Sequence, residues 1–264
     1  MSPRVYTVLP LALIYFFVWT QLESGKDRHE EQRWPISDLI AYFGTGCIAA
    51  LLYFQTRAEW IVVAWAGLVL ALIIAEIALR KRVFVQQATL LTLGIVGRGL
   101  AHNVYGGSYF TSDGWRGNFV VLSITAALLF ATLPAGFRLR SRYTAQSSGS
   151  RPGRLFEYPE QLLFFAPIVL ITAMIAVKMT PGMVTLSLAI EGVLVILLGL
   201  ILSQRSYRLT GLLLLLVCVA KIVSRDAWRL TERDRYITFI VLGAGLTLVS
   251  MLYNKYRESV RRLL

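Results

Sequence analysis

Apolar residues run in blocks of roughly 18 to 22, separated by short polar breaks, and about 20 residues is what an α-helix needs to cross a hydrocarbon core. The blocks fall at 5–22, 37–55, 59–79, 83–101, 117–135, 160–178, 183–202, 207–224 and 236–253. Lipid offers backbone groups no water, so blocks of this length predict helices that close their hydrogen bonds internally. The breaks carry matching punctuation. Residues 23–33 are almost wholly polar, Arg80, Lys81 and Arg82 form a tight basic turn, and residues 225–235 mix both signs. The stretch 138–158, RLRSRYTAQSSGSRPGRLFEY, reads as the one true linker, too polar for lipid and with nothing to pack as a core. The expected fold is all-α: a polytopic transmembrane bundle of about nine helices, in one integral membrane domain over 1–264. Only Arg4 precedes the first block and no small-x-small pattern follows Trp19 and Thr20, so this block is expected to be a retained helix rather than a cleaved leader.

Composition agrees with that pattern. Hydrophobic residues make up 56% of the chain and charged residues 16%, too little charge to cover a soluble domain. The net charge of +12 is read as loop charge that orients the protein and lies against anionic lipid. No basic stretch carries interleaved aromatics on a recognisable nucleic-acid-binding fold, so no nucleic-acid partner is expected. With nine helices, the loops after helices one, three, five and seven and the C-terminus hold nearly twice the Lys and Arg of the other side. That bias puts the C-terminus in the cytoplasm and the N-terminus outside, in a bacterial inner membrane. Cys47 and Cys218 lie inside apolar blocks and read as small apolar residues. Two histidines, with no HExxH or CxxC, leave no expected metal or cofactor site.

The two halves resemble one another. Pro35 to Asp38 corresponds to Pro159 and Glu160, LIAYFG (39–44) to QLLFFA (161–166), and Gly67 to Gly192. Arg98 corresponds to Lys221, RGLAHNVY (98–105) to KIVSRDAW (221–228), and Arg116 to Arg235. The expected organisation is a first helix and polar loop (1–34), a four-helix unit (35–137), the basic linker (138–158) and a second four-helix unit (159–264). Such tandem copies are parallel, related by a pseudo-two-fold axis along the membrane normal.

Ionisable groups inside a span are expensive and need a partner or a wet cavity. Glu191 lies well inside helix seven and Lys221 in helix eight, so the bland expectation is a Glu191–Lys221 pair, and the functional one a proton or substrate site near the midplane. Glu76 precedes Arg80 by four residues and reads as a snorkelling, surface-paired carboxylate. Arg98 and Lys178 sit near span ends and read the same way. Two outer loops occupy matching places, AHNVYGGSYFTSDGWRGN (101–118) and SRDAWRLTERDRY (224–236). They offer His102, Asn103, Asp113, Trp115, Arg116, Asp226, Trp228 and Arg235 as a candidate ligand or partner site, against the simpler reading of a solvated rim with interfacial tryptophans. Glycines at 44, 46, 94, 97, 99, 243 and 245 mark places where helices can approach closely. No nucleophile has an adjacent base, and no Walker, Rossmann, GxSxG or zinc signature occurs.

The last third of the chain carries Arg208, Gly211, Lys221, Asp226, Arg235, Phe239, Gly243 and Tyr253 in the setting RLTGLLLLLVCVAKIVSRDAW…RDRYITFIVLGAGLTLVSMLYNKYR. This stretch resembles the C-terminal part of a large bacterial family of predicted membrane proteins (domain of unknown function 2339). The resemblance implies a many-helix bacterial inner-membrane protein, a short relative or terminal module of longer members, and it supplies no activity or catalytic residues.

The functional expectation is a non-enzymatic membrane subunit or scaffold, holding a protein partner or anionic lipid. A transporter of a small polar solute or lipid is the alternative, resting on tandem repeats and Glu191. An enzyme on lipid-linked substrates, using outer carboxylates such as Asp113 or Asp226, is a third.

Overall fold

The computed structural model describes residues 3–24, 36–105, 114–144, 159–179, 181–202 and 204–221, with isolated helical residues between 236 and 251. The described residues form nine α-helices: α1 (Pro3–Ser24), α2 (Ile36–Gln55), α3 (Ile61–Leu79), α4 (Arg82–Arg98), α5 (Gly114–Ala131), α6 (Leu133–Thr144), α7 (Pro159–Lys178), α8 (Pro181–Ile201) and α9 (Arg205–Lys221). A widened π-helical turn, Gly99–Val104, continues α4. Among the described residues six stretches, 38–55, 61–79, 82–104, 118–139, 159–178 and 183–201, are long and apolar enough to cross a bilayer. The ninth block expected from the sequence is represented by Tyr236, Phe239, Ile240, 243–245, Thr247, Ser250 and Met251, all helical.

Helix ends follow local chemistry. Arg80 closes α3 in the left-handed conformation (φ 58°), its N–H bonding to the carbonyl of Glu76 at 2.6 Å. Extended Lys81 then opens α4, so two basic residues make the whole turn. Pro181 occupies the first position of α8, where a missing N–H costs nothing.

The fifth apolar block differs from expectation at its far end. α5 hands over to α6 at Thr132, whose hydroxyl donates to the carbonyl of Leu129 at 2.6 Å, and helix continues to Thr144. Residues 138–144, read from sequence as linker, are therefore helical. Leu139 is buried while Arg138 beside it is exposed, a long arginine stem letting the charge reach outward from a helix that buries its neighbour. Residues 145–158 lie outside the described set.

The chain divides into two compact units, Met1–Ile171 and Thr172–Leu264, and the division falls inside α7. In the first unit α3, apolar but for Glu76, packs against α2, α4, α5 and α6. α1 lies on α2, where Phe16 covers Gly44 and Tyr15 stacks on Phe43 with ring centroids 6.2 Å apart. Leu170 reaches Gly99 so closely that a Cβ there would lie 2.7 Å from its Cδ2. In the second unit α8 and α9 form a close hairpin. Gly245 approaches Val193 of α8, which brings the last helical stretch against the same helix.

Some buried positions recur 123 residues apart, while Leu188 and Glu191 on α8 and Val83, Val85, Gln87 and Thr89 on α4 are buried without a buried counterpart at that spacing. On α3, Ile61, Val62, Ala66, Val69, Leu72, Ile73 and Glu76 are buried; 123 residues later Val184, Thr185, Ala189, Gly192, Val195, Ile196 and Gly199 are buried on α8. α4 and α9, each 17 residues long, start at Arg82 and Arg205 and bury Phe84, Ala88, Thr92, Ile95 and Tyr207, Gly211, Leu215, Cys218 at that same spacing.

Candidate functional site

In the second unit, Thr185 and Glu191 of α8 each accept a hydrogen bond from a neighbouring helix. The hairpin is built on glycine: a Cβ at Gly211 would lie 2.7 Å from the Gly192 carbonyl oxygen, and one at Gly199 would lie 2.7 Å from the Arg208 nitrogen. Such approach is how helices gain contact in lipid, where no hydrophobic force drives them together. At the start of α8, Lys221 Nζ donates to Thr185 Oγ1 at 2.7 Å, and Cys218 Sγ faces the Thr185 carbonyl at 3.8 Å. Glu191 stands six residues further along, roughly 9 Å by helical rise. Its Oε1 accepts from Thr172 Oγ1 at 2.8 Å, while its Oε2 is buried with no hydrogen bond among the described residues. The expected Glu191–Lys221 pair is thus replaced by two threonine contacts. Antiparallel packing holds Lys221 level with Thr185, a turn and a half from the carboxylate.

In the first unit, two rungs join α2 to α4. Tyr42 Oη donates to Gln86 Oε1 at 3.0 Å and Thr45 Oγ1 to Gln87 Oε1 at 2.7 Å. Trp65 Nε1 ties α3 to the α2 carbonyl of Ala49 at 3.0 Å. Glu76 is only 1% exposed while Arg80 is exposed, so the snorkelling expected for Glu76 does not occur. The left-handed turn at Arg80 carries the basic side chain outward and leaves Glu76 on the packed face of α3.

In the described part of the candidate loops, Arg98 and Asn103 make contacts within the chain. Arg98 Nη2 donates to the carbonyl of Ala58 at 3.5 Å, and its guanidinium lies over the Tyr53 ring, 5.0 Å from the centroid. Asn103, delivered by the π-helical turn, donates through Nδ2 to the carbonyl of Glu59 at 3.0 Å. These two residues fasten the 56–60 connection between α2 and α3, and His102 beside them is half-buried. Asp113, Asp226, Trp228 and Arg235 lie outside the described residues. Trp115 and Arg116 fall in the first turn of α5, and their side chains lie outside them too.

A family model described as predicted membrane protein (DUF2339) matches residues 2–256. The chain belongs to the DUF2339 family. No curated protein and no solved structure matches it. The match takes in every helix from α1 to α9, so the likeness reaches well beyond the last third of the chain.

Within this DUF2339 protein the described residues gather no group of three or more His, Cys, Asp or Glu able to hold a metal ion. The polar partners that sequence reading did not single out are Tyr42, Thr45, Gln86, Gln87, Thr172 and Thr185. Their signal was present as hydrogen-bonding side chains inside otherwise apolar blocks, but pairing them needs the helix packing.

Proposed function

We propose that this DUF2339 protein is a non-enzymatic membrane subunit that holds a partner protein within the bilayer. One observation carries this reading: the described polar groups near the α2–α3 and α8–α9 ends are used to fasten the chain to itself. Arg98 and Asn103 grip carbonyls of their own neighbouring loop, and Lys221 grips Thr185. Glycine contact at Gly192, Gly199 and Gly211 leaves α8 and α9 packed backbone to backbone, a rigid pair rather than a moving one. Extraction from native membranes in a mild detergent, followed by mass spectrometry of the intact assembly, tests it. A stoichiometric partner is expected; a chain that emerges alone under every mild condition refutes the subunit reading.

The reading includes tandem four-helix repeats, supported by the buried positions of α3 and α4 that recur 123 residues later on α8 and α9. It includes a bacterial inner-membrane location with the C-terminus cytoplasmic, supported by the Lys and Arg bias of the loops. It also includes anionic lipid at the basic cytoplasmic loops. Cysteines introduced at Ala145 and Leu230 in a cysteine-free chain should react with an impermeant maleimide from opposite sides of the membrane.

A second reading, transport of a small polar solute, is favoured by Glu191. A carboxylate in mid-span with one buried oxygen that has no hydrogen bond among the described residues is costly, and such groups commonly mark ion or solute paths. Reconstituted vesicles carrying wild type or Glu191→Gln distinguish the two. Flux of a solute that the substitution abolishes would favour transport over the subunit reading.

A further inference from the structure

We draw no further inference here: the strongest candidate, the apolar groove along α2 lined by Leu39, Tyr42, Phe43, Gly46, Cys47 and Ala50, is a helix face with nothing in the structure to show what covers it.

Discussion

Adding one methyl group to the DUF2339 chain should have opposite effects at two glycines that look equivalent in sequence. A Cβ on Gly211 would lie 2.5 Å from Ile196 Cγ1, 2.7 Å from the Gly192 oxygen and 2.8 Å from the Ile196 nitrogen. Two of these three atoms are backbone, so no rotamer change relieves the overlap and α9 must move away from α8. A gap of about 0.5–1 Å already forfeits a quarter to a half of each dispersion contact along the hairpin. Overpacking of this kind costs about 1–3 kcal/mol, against a gain of roughly 1 kcal/mol from replacing glycine by alanine in a helix. Gly211→Ala should therefore lose up to about 2 kcal/mol. Gly46 on α2 has nothing within 4 Å of the same position and is exposed, so Gly46→Ala should gain about 0.5–1 kcal/mol from propensity alone. The two variants should then differ by roughly 0.5–3 kcal/mol, at the middle of that range more than a tenfold difference in the folding equilibrium. Equilibrium unfolding in mixed micelles with rising SDS fraction, followed by helical circular dichroism, reads the difference. Equal midpoints, or a more stable Gly211→Ala chain, would refute the backbone contact that defines the second unit.

Three further outcomes follow from named contacts. Cys218 is fully buried and Cys47 only partly, so a lipid-soluble maleimide should label Cys47 first and Cys218 only after unfolding in SDS; equal rates would contradict the packing of α9. Asn103→Ala removes the hydrogen bond to the Glu59 carbonyl, which should cost on the order of 1 kcal/mol and speed trypsin cleavage at exposed Arg57, and an unchanged cleavage rate would argue against that anchor. A double-mutant cycle of Lys221→Met with Thr185→Val should show coupling of about 0.6 kcal/mol, up to about 1.7, as found for hydrogen bonds between membrane helices; strict additivity would mean the two side chains do not meet.

Much of the architecture was legible in the chain, and the reason is specific. Bilayer thickness imposes a block length, so α2, α3, α7 and α8 lie within a few residues of their apolar runs. The Arg80–Lys81 turn and the family likeness were legible too, the first because basic residues cannot remain in lipid. The start of the 138–158 stretch was not, because arginine stems can lie along a helix and the sequence does not say whether a residue such as Leu139 has something to pack against. Glu76 and Arg80 show the same gap. Their spacing allows a surface pair, and only the left-handed turn at Arg80 sends one outward and keeps the other inside.

By itself, then, the order of apolar and polar residues determined that this is a helical membrane protein, how long its spans are and where most of them break. Those features depend on the solvent, which acts on each segment separately. Tertiary structure alone decided the partners: Thr172 and not Lys221 for Glu191, Gln87 for Thr45, Gly192 for Gly211. In lipid every face of an apolar helix is equally acceptable to the surroundings, so hydropathy carries little information about which face turns inward. That choice rests on close contact and hydrogen bonds between helices, which exist only once the helices are assembled.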